Sequence, residues 1–346
     1  MEQEDKNGGN PVYTIEYLKE AMLDLWVAGQ ETTSTTLTVG FTHLLHNRDI
    51  MTKVRVELRV ITGNGGRSLS LKDKNMTPLL NATIGEIQRH ASILNLNFWK
   101  VNHELTYING QPVDANTLIT SQLNAIHTKD HIFDNPHLFD PMRFIRNDQL
   151  LQQIVPFGVG KRSCLGESLA RAELYLILGN LLLRYDFQPV SQLPSFKETE
   201  PYGVTVPLLL QKYGNVFTLW AGPIPVVSVC DYETSHELFV KHGNKYADKS
   251  LVPIFSEVMH GKGVVNVNGE WWQEIRRFSL TVFRNMGVGK DLMEEKIMAE
   301  LDARCAQLNK LARNGVYEQS TNESFDLTVG SIINSILVGR RFDEKN

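Results

Sequence analysis

Cysteine is scarce in this chain: Cys164, Cys230 and Cys305 are the only three in 346 residues. They lie far apart without CxxC spacing, which argues against a disulfide framework and against a structural zinc site and favours a reducing environment. A dominant charge is missing too. The net charge of −4 offers no basic field, so nucleic acid is not an expected partner. There is no run of about eighteen uncharged apolar residues, so no segment is expected to span a bilayer. The opening "MEQEDKNGGN" is acidic and polar, unlike a secretory signal. No fixed-period repeat occurs. What is present is ordinary: 42% hydrophobic and 21% charged residues, enough to bury a sizeable core.

Residues 1–12 read as a disordered lead. Thr14 is a candidate N-cap for a long helix ending near His46-Asn47, with Leu18, Met22, Leu25 and Trp26 at helical spacing. Further helices are expected at 50–61 and 77–92. "HELTYINGQPVDANTLITSQL" then reads as two strands about an Asn109-Gly110 turn. A loop-rich stretch with Pro136, Pro141 and Pro156 leads to a strongly apolar helix that begins beside Cys164, and 187–210 reads as coil with a short strand. "NVFTLWAGPIPVVSV" forms a hairpin around Gly222-Pro223, Asp231 caps a short helix, and helices follow near 270–285, 291–313 and 326–339. The expected fold class is mainly α with small antiparallel β-sheets.

The chemistry concentrates in "PFGVGKRSCLGESLARAELYLILGNLLL", Pro156–Leu183. Cys230 and Cys305 read as small buried hydrophobes, Cys305 sharing a helical stripe with Ile297, Leu301 and Leu308. Cys164 differs. It stands where a helix begins, beside Arg162, and there free N–H groups and positive charge lower a thiol pKa. Gly160 and Gly166 free the backbone for a tight turn and for the approach of something flat. The set suits a thiolate ligand to a metal that needs only one protein ligand, of which haem is the common case.

A second segment, "LWVAGQETTSTTL", puts Ala28, Gly29, Glu31, Thr32 and Thr33 mid-helix, where glycine and threonine are poor helix formers. Its ordinary structural reading is a packing patch of small residues with a surface glutamate; its functional reading is a local widening of the helix at a ligand.

Phe157, Gly160, Arg162, Cys164 and Gly166 spell F-x-x-G-x-R-x-C-x-G, and Ala28–Thr33 spell A-G-x-[DE]-T-[TS]. Together these resemble the cytochrome P-450 family. The resemblance implies a P-450-like α+β fold and haem b as cofactor. It makes Cys164 the axial iron ligand, Arg162 the partner of a haem propionate, and Phe157 the neighbour of the sulfur. It gives Gly29 the role of leaving room for dioxygen, Thr32 that of hydrogen-bonding it, and Glu31 that of relaying protons. Glu86 and Arg89, in E-x-x-R, with Arg143 of "FDPMRF", resemble the family's structural triad; Met142 stands where the family usually has glutamate. "NGEWWQEIRRFSLTVFRNMGVGK" resembles the helix whose Trp272 and Arg276 hold the propionates.

The order of these parts is unusual. Residues 1–206 resemble the carboxyl-terminal part of an animal microsomal P-450, and 207–346 the amino-terminal part. The intervening lid helices and the membrane anchor are not represented. The chain is therefore expected to be incomplete and permuted, with fusion of two family copies favoured over circular permutation because the middle is missing. Activity implied by the resemblance is haem-thiolate monooxygenation of a small lipophilic substrate by dioxygen, fed with electrons from NADPH through a flavoprotein reductase. "HASILNLNFW" is expected to line the pocket. The location implied is the cytosolic face of the endoplasmic reticulum membrane or, lacking an anchor, the soluble cytoplasm. The alternative is a non-catalytic fused or truncated remnant with weak haem binding or none.

Overall fold

The computed structural model describes residues 14–95, 97–193, 205–250, 261–285 and 291–341. The disordered lead expected at residues 1–12 lies outside them. Helix α1 spans Ile15–His46, and Thr14 caps it as expected, its side-chain oxygen accepting from the N–H of Tyr17. Helices α2 (Arg48–Ile61) and α3 (Pro78–Ala91) follow, the latter with proline in its first turn, where no N–H is needed. Strands β1 (Lys100–Val101), β2 (Thr106–Ile108), β3 (Gln111–Val113) and β4 (Leu118–Ser121) come next. Asn109 and Gly110 both take positive φ, 50° and 77°, which is what a two-residue β2–β3 turn requires. Short helices α4 (Leu123–His127) and α5 (Met142–Arg146) and a 3-10 turn at Asp148–Gln153 lead to α6, Glu167–Arg184.

The second part contains α7 (Thr205–Tyr213), the hairpin β5 (Val216–Ala221) and β6 (Ile224–Val229), and α8 (Tyr232–His236). It continues with α9 (Gly269–Asn285), α10 (Asp291–Leu311) and α11 (Thr321–Leu337). Asp231 caps α8 through the N–H of Thr234, and the chain runs on as a π-helical turn at Glu237–Lys241. Helix α7 replaces the end of the expected coil. Its Leu209 and Leu210 pack against a small cluster of Ala125, Phe217 and Cys230, and that burial stabilises the helix.

Two features join the parts. The four-stranded sheet has the order β1-β4-β6-β5, half its strands coming from each part. Strand β4 pairs with β6 in parallel, Leu118 opposite Val226 through Ser121 opposite Val229. The expectation of purely antiparallel sheets is thus corrected. The local hairpins are antiparallel, but a pairing between segments some hundred residues apart is free to run either way. The main core also mixes the two parts, with Leu37, Phe41, Leu80 and Leu178 packed in one cluster with Ile297, Leu301, Val329 and Ile332. Cys230 and Cys305 are buried, as expected. The fold is mainly helical with small mixed sheets.

Candidate haem-thiolate site

The loop carrying Cys164 is held by its own backbone. The N–H of Cys164 donates to the carbonyl of Phe157 (2.9 Å) and that of Ser163 to Gly160 (3.0 Å). Gly160 has φ of 83°, and a Cβ there would lie 1.9 Å from the carbonyl oxygen of Phe239, so only glycine fits. Gly166 precedes α6 and has open space around it. Close approach at Gly160 is therefore to the π-helical turn, whereas the room expected of both glycines exists at Gly166. Phe157 is half-buried beneath the guanidinium of Arg171, 4.8 Å from its ring centre.

Cys164 is exposed, yet its thiol pKa is raised, not lowered as expected. Desolvation by the packed side of the loop is the larger effect. The N–H of Gly166, Arg276 and Lys249 pull the other way without overcoming it. A bound metal cation reverses this balance, because a coordinating thiol is deprotonated outright.

Beside the loop lies a concentration of cations. Arg162 donates from Nε to the carbonyl of Ala247 (2.6 Å) and from Nη2 to Val267 and to Oδ1 of Asn268, both 2.8 Å. Its guanidinium lies 3.8 Å over the buried ring of Trp272, and Arg276 approaches the same ring at 5.7 Å. Arg276 also donates to the carbonyl of Ser163, so α9 is clamped directly to the cysteine loop. Nη1 of Arg162 is buried with no partner. Burial, with Arg276 adding repulsion against the pull of Asp248, brings the Arg162 pKa down to about 9.

Two lysines that carry no motif join them. Lys100 is fully buried, its Nζ without a hydrogen-bond partner and 4.2 Å from the ring centre of Phe239. Burial and the charges of Lys249 and Arg162 lower it to about 7. Lys249, over Phe98, is lowered to about 8, first by desolvation and then by Arg162. Nothing in the sequence marked either lysine; a lysine within the apolar "LNFWKV" stretch was the available signal for Lys100. Asp248, the carboxylate nearest Arg162 in influence, is engaged by His103 and the N–H of Gly269. Four cations thus converge with little anionic compensation, and two donor groups, Nη1 of Arg162 and Nζ of Lys100, are left over. A flat dianion such as haem, with two carboxylates, fits that donor set.

On α1, Thr32 is half-buried and its hydroxyl donates to the carbonyl of Ala28 (2.7 Å). Thr36 does the same to the carbonyl of Thr32 (2.7 Å), and Glu31 is exposed, accepting from Thr35. Helix α1 runs unbroken through this segment, so the expected widening is not observed. Threonine back-bonding adds to the helix's own ladder without breaking it. Gly29 faces Ile333 of α11, whose Cδ1 would stand 2.8 Å from an added Cβ. Its smallness lets α1 and α11 approach closely there. Ala28, Leu23 and Val27 present an exposed apolar strip. Of the expected pocket segment, Leu94 and Phe98 are exposed and Leu96 lies outside the described residues.

The predicted triad is assembled. Arg89 donates from Nε and Nη2 to the two oxygens of Glu86 (both 2.8 Å), and Arg143 Nε donates to Glu86 Oε1 (3.2 Å). All three are buried. Burial pushes the Glu86 carboxyl up, but hydrogen bonds from Arg89 and His90 outweigh it and bring it down to about 2. The remaining guanidinium donors hold the carbonyls of His127, Asp134 and Leu138, fixing the segment that leads to the cysteine loop.

The family model for cytochrome P450 matches the chain in two stretches, residues 1–211 and 205–346. The chain belongs to the cytochrome P450 family. It is 49% identical over 201 residues to the probable cytochrome P450 cyp-35D1 of Caenorhabditis elegans, a match covering 58% of this chain and 40% of that protein. It is 35% identical over 190 residues to human cytochrome P450 2U1, covering 54% of this chain and 35% of that one. A solved zebrafish cytochrome P450 with abiraterone aligns at 34% identity and a TM-score of 0.46, over 49% of this chain and 41% of that one. The chain thus spans about two-fifths of the length of the curated P450 relatives it matches. Among the described residues no helix is long and apolar enough to cross a membrane.

Proposed function

We propose that Cys164 is the thiolate ligand of a haem b, and that Arg162, Arg276, Lys100 and Lys249, with Trp272 beside the two arginines, hold its carboxylates. The observation that carries this is the buried, unpartnered Nη1 of Arg162 amid cations that outnumber their carboxylates, next to an exposed thiol. When bound, haem supplies a thiolate-ligated iron at which dioxygen is activated. The protein's own part is positioning and proton handling. Arg276 ties α9 to the loop through Ser163, and Glu86 with its arginines fixes the approach to the loop. Glu31 exchanges a proton with solvent at its carboxylate, and Thr32 holds one at its hydroxyl. The activity that follows is monooxygenation of a small lipophilic substrate, with electrons from NADPH through a flavoprotein reductase, at the cytosolic face of the endoplasmic reticulum membrane.

In this reading residues 1–206 are a carboxyl-terminal-like part and 207–346 an amino-terminal-like part, joined by fusion of two family copies. The two separate family matches and the shared core support it. The exposed strip at Leu23 and Val27 favours a second reading, a remnant that lacks the lid and does not turn over. One experiment separates them. The purified chain, supplied with haemin, reduced and treated with carbon monoxide, is expected to show the red-shifted Soret band of thiolate ligation, and Cys164→Ala to lose it. A folded wild-type protein without that band defeats the haem-thiolate reading.

A further inference from the structure

A cavity of about 310 Å³ lies between α3, α6 and the 3-10 turn that ends at Gln153. Its lining is mixed: Ile84, Leu151, Ile154 and Pro156 supply apolar surface, with Leu151 exposed at its edge, beside Asn81, Gln88 and Tyr175. Two cations, Lys74 and Arg171, line it as well, and no carboxylate does. Both cations are exposed residues, so they stand toward solvent while Ile84 and Ile154 are buried. Arg171 uses its Nε on Glu167, outside the cavity (2.9 Å). Among the described residues, no hydrogen bond or ion pair engages the Lys74 ammonium. The two like charges repel: desolvation, then Arg171, lowers the Lys74 pKa. A pocket with a partly apolar lining whose rim sets two cations together, with no carboxylate in its lining, is complementary to a molecule with a negative head and a short aliphatic body. The volume is at the lower end of the range for small-molecule sites, roughly 300–1,000 Å³, too small for a sterol.

We propose that this cavity is a binding site for a medium-chain monocarboxylate, its carboxylate between Lys74 and Arg171 and its chain against Ile84, Leu151 and Ile154. The site is separate from the cation cluster around Arg162, and the proposal does not depend on haem. It nevertheless adjoins the cysteine loop. Pro156 forms part of its wall, and Arg171 stacks on Phe157, so occupancy bears on the strand of chain that presents Cys164.

Titration calorimetry of the whole chain with decanoate, decanol and decylamine tests it. Decanoate is expected to bind at one saturable site, with decanol about tenfold weaker, the loss of a charge-assisted hydrogen bond, and decylamine weaker still. Leu151→Trp, which fills the cavity from a partly exposed turn, is expected to abolish decanoate binding. Lys74→Glu, a change on the exposed rim that leaves the core alone, is expected to weaken it at least about tenfold. Circular dichroism checks that each variant is folded, and Lys74→Glu decides the matter if the tryptophan variant is not. Equal affinity for decanoate and decanol, no binding of decanoate, or decanoate affinity unchanged in the folded variants overturns the proposal; the last outcome would place decanoate elsewhere on the protein.

Discussion

Glu173 is buried on α6, one carboxylate oxygen lacking a hydrogen-bond partner and Thr33 of α1 close enough to favour its charged form. Burial raises its pKa to about 8, so at neutral pH it is mainly an uncharged acid at the contact between α6, which follows the cysteine loop, and the threonine-rich α1. A carboxyl raised in the folded state contributes most stability below its ordinary pKa and loses it as pH rises toward about 8. Glu173→Gln, which keeps the shape without the charge, is expected to leave stability at pH 6 within about 1 kcal/mol and to flatten the decline between pH 5 and 8. Urea unfolding at several pH values measures this; a slope equal to wild type would show that Glu173 does not titrate in that range. Thr32 carries a different expectation. Thr32→Ala removes one back-bond to Ala28, so the haem spectrum should persist while less product and more hydrogen peroxide form per NADPH consumed. Unchanged coupling would remove Thr32 from proton handling.

The decisive elements are those that meet across the two parts. Asp24, buried in α1, accepts from the N–H groups of Val264 (2.8 Å) and Val265 (2.9 Å), and so anchors the segment before α9 to the first helix. Gly263, with φ of 91°, lies against the same carboxylate, where a Cβ would stand 2.3 Å from Oδ2. Asp24→Ala is expected to cost about 1–3 kcal/mol, because two buried N–H groups lose their acceptor. The loss should appear as a lower urea midpoint and as faster hydrogen exchange at 264 and 265. Protection at those amides equal to wild type would mean that Asp24 is not what holds them. Helix α9 is tied twice more, by Arg162 to the carbonyl of Val267 and by Arg276 to that of Ser163. These ties bring to Trp272 two arginines that lie 114 residues apart in sequence, the difference between 276 and 162.

At the scale of the molecule, the four-stranded sheet and the main core are each shared between the two parts. Strands β1 and β4 need β6 to bury Ile119 beside Val227 and Val229, and α10 and α11 close the core over α1 and α6. Residues 1–206 and 207–346 made as separate chains are therefore expected to be poorly folded alone and to gain helical circular dichroism on mixing. A 1–206 chain that folds cooperatively by itself, with no change on adding the other, would show the parts to be independent.

Much of this was legible along the chain. Helices and hairpins followed from apolar spacing, from the Thr14 and Asp231 caps and from the Asn109-Gly110 turn, because each rests on contacts within a few residues. The cysteine loop and the Glu86–Arg89 pair could be read for the same reason, their residues lying within one or two turns of each other. Tertiary structure alone decided the parallel β4–β6 joint, the recruitment of Lys100 and Lys249, the upward shift of the Cys164 thiol and the packing of Gly29 on Ile333. Each depends on what a distant segment brings alongside. Desolvation and unpaired charge are properties of the assembled surroundings, and residue spacing does not encode them.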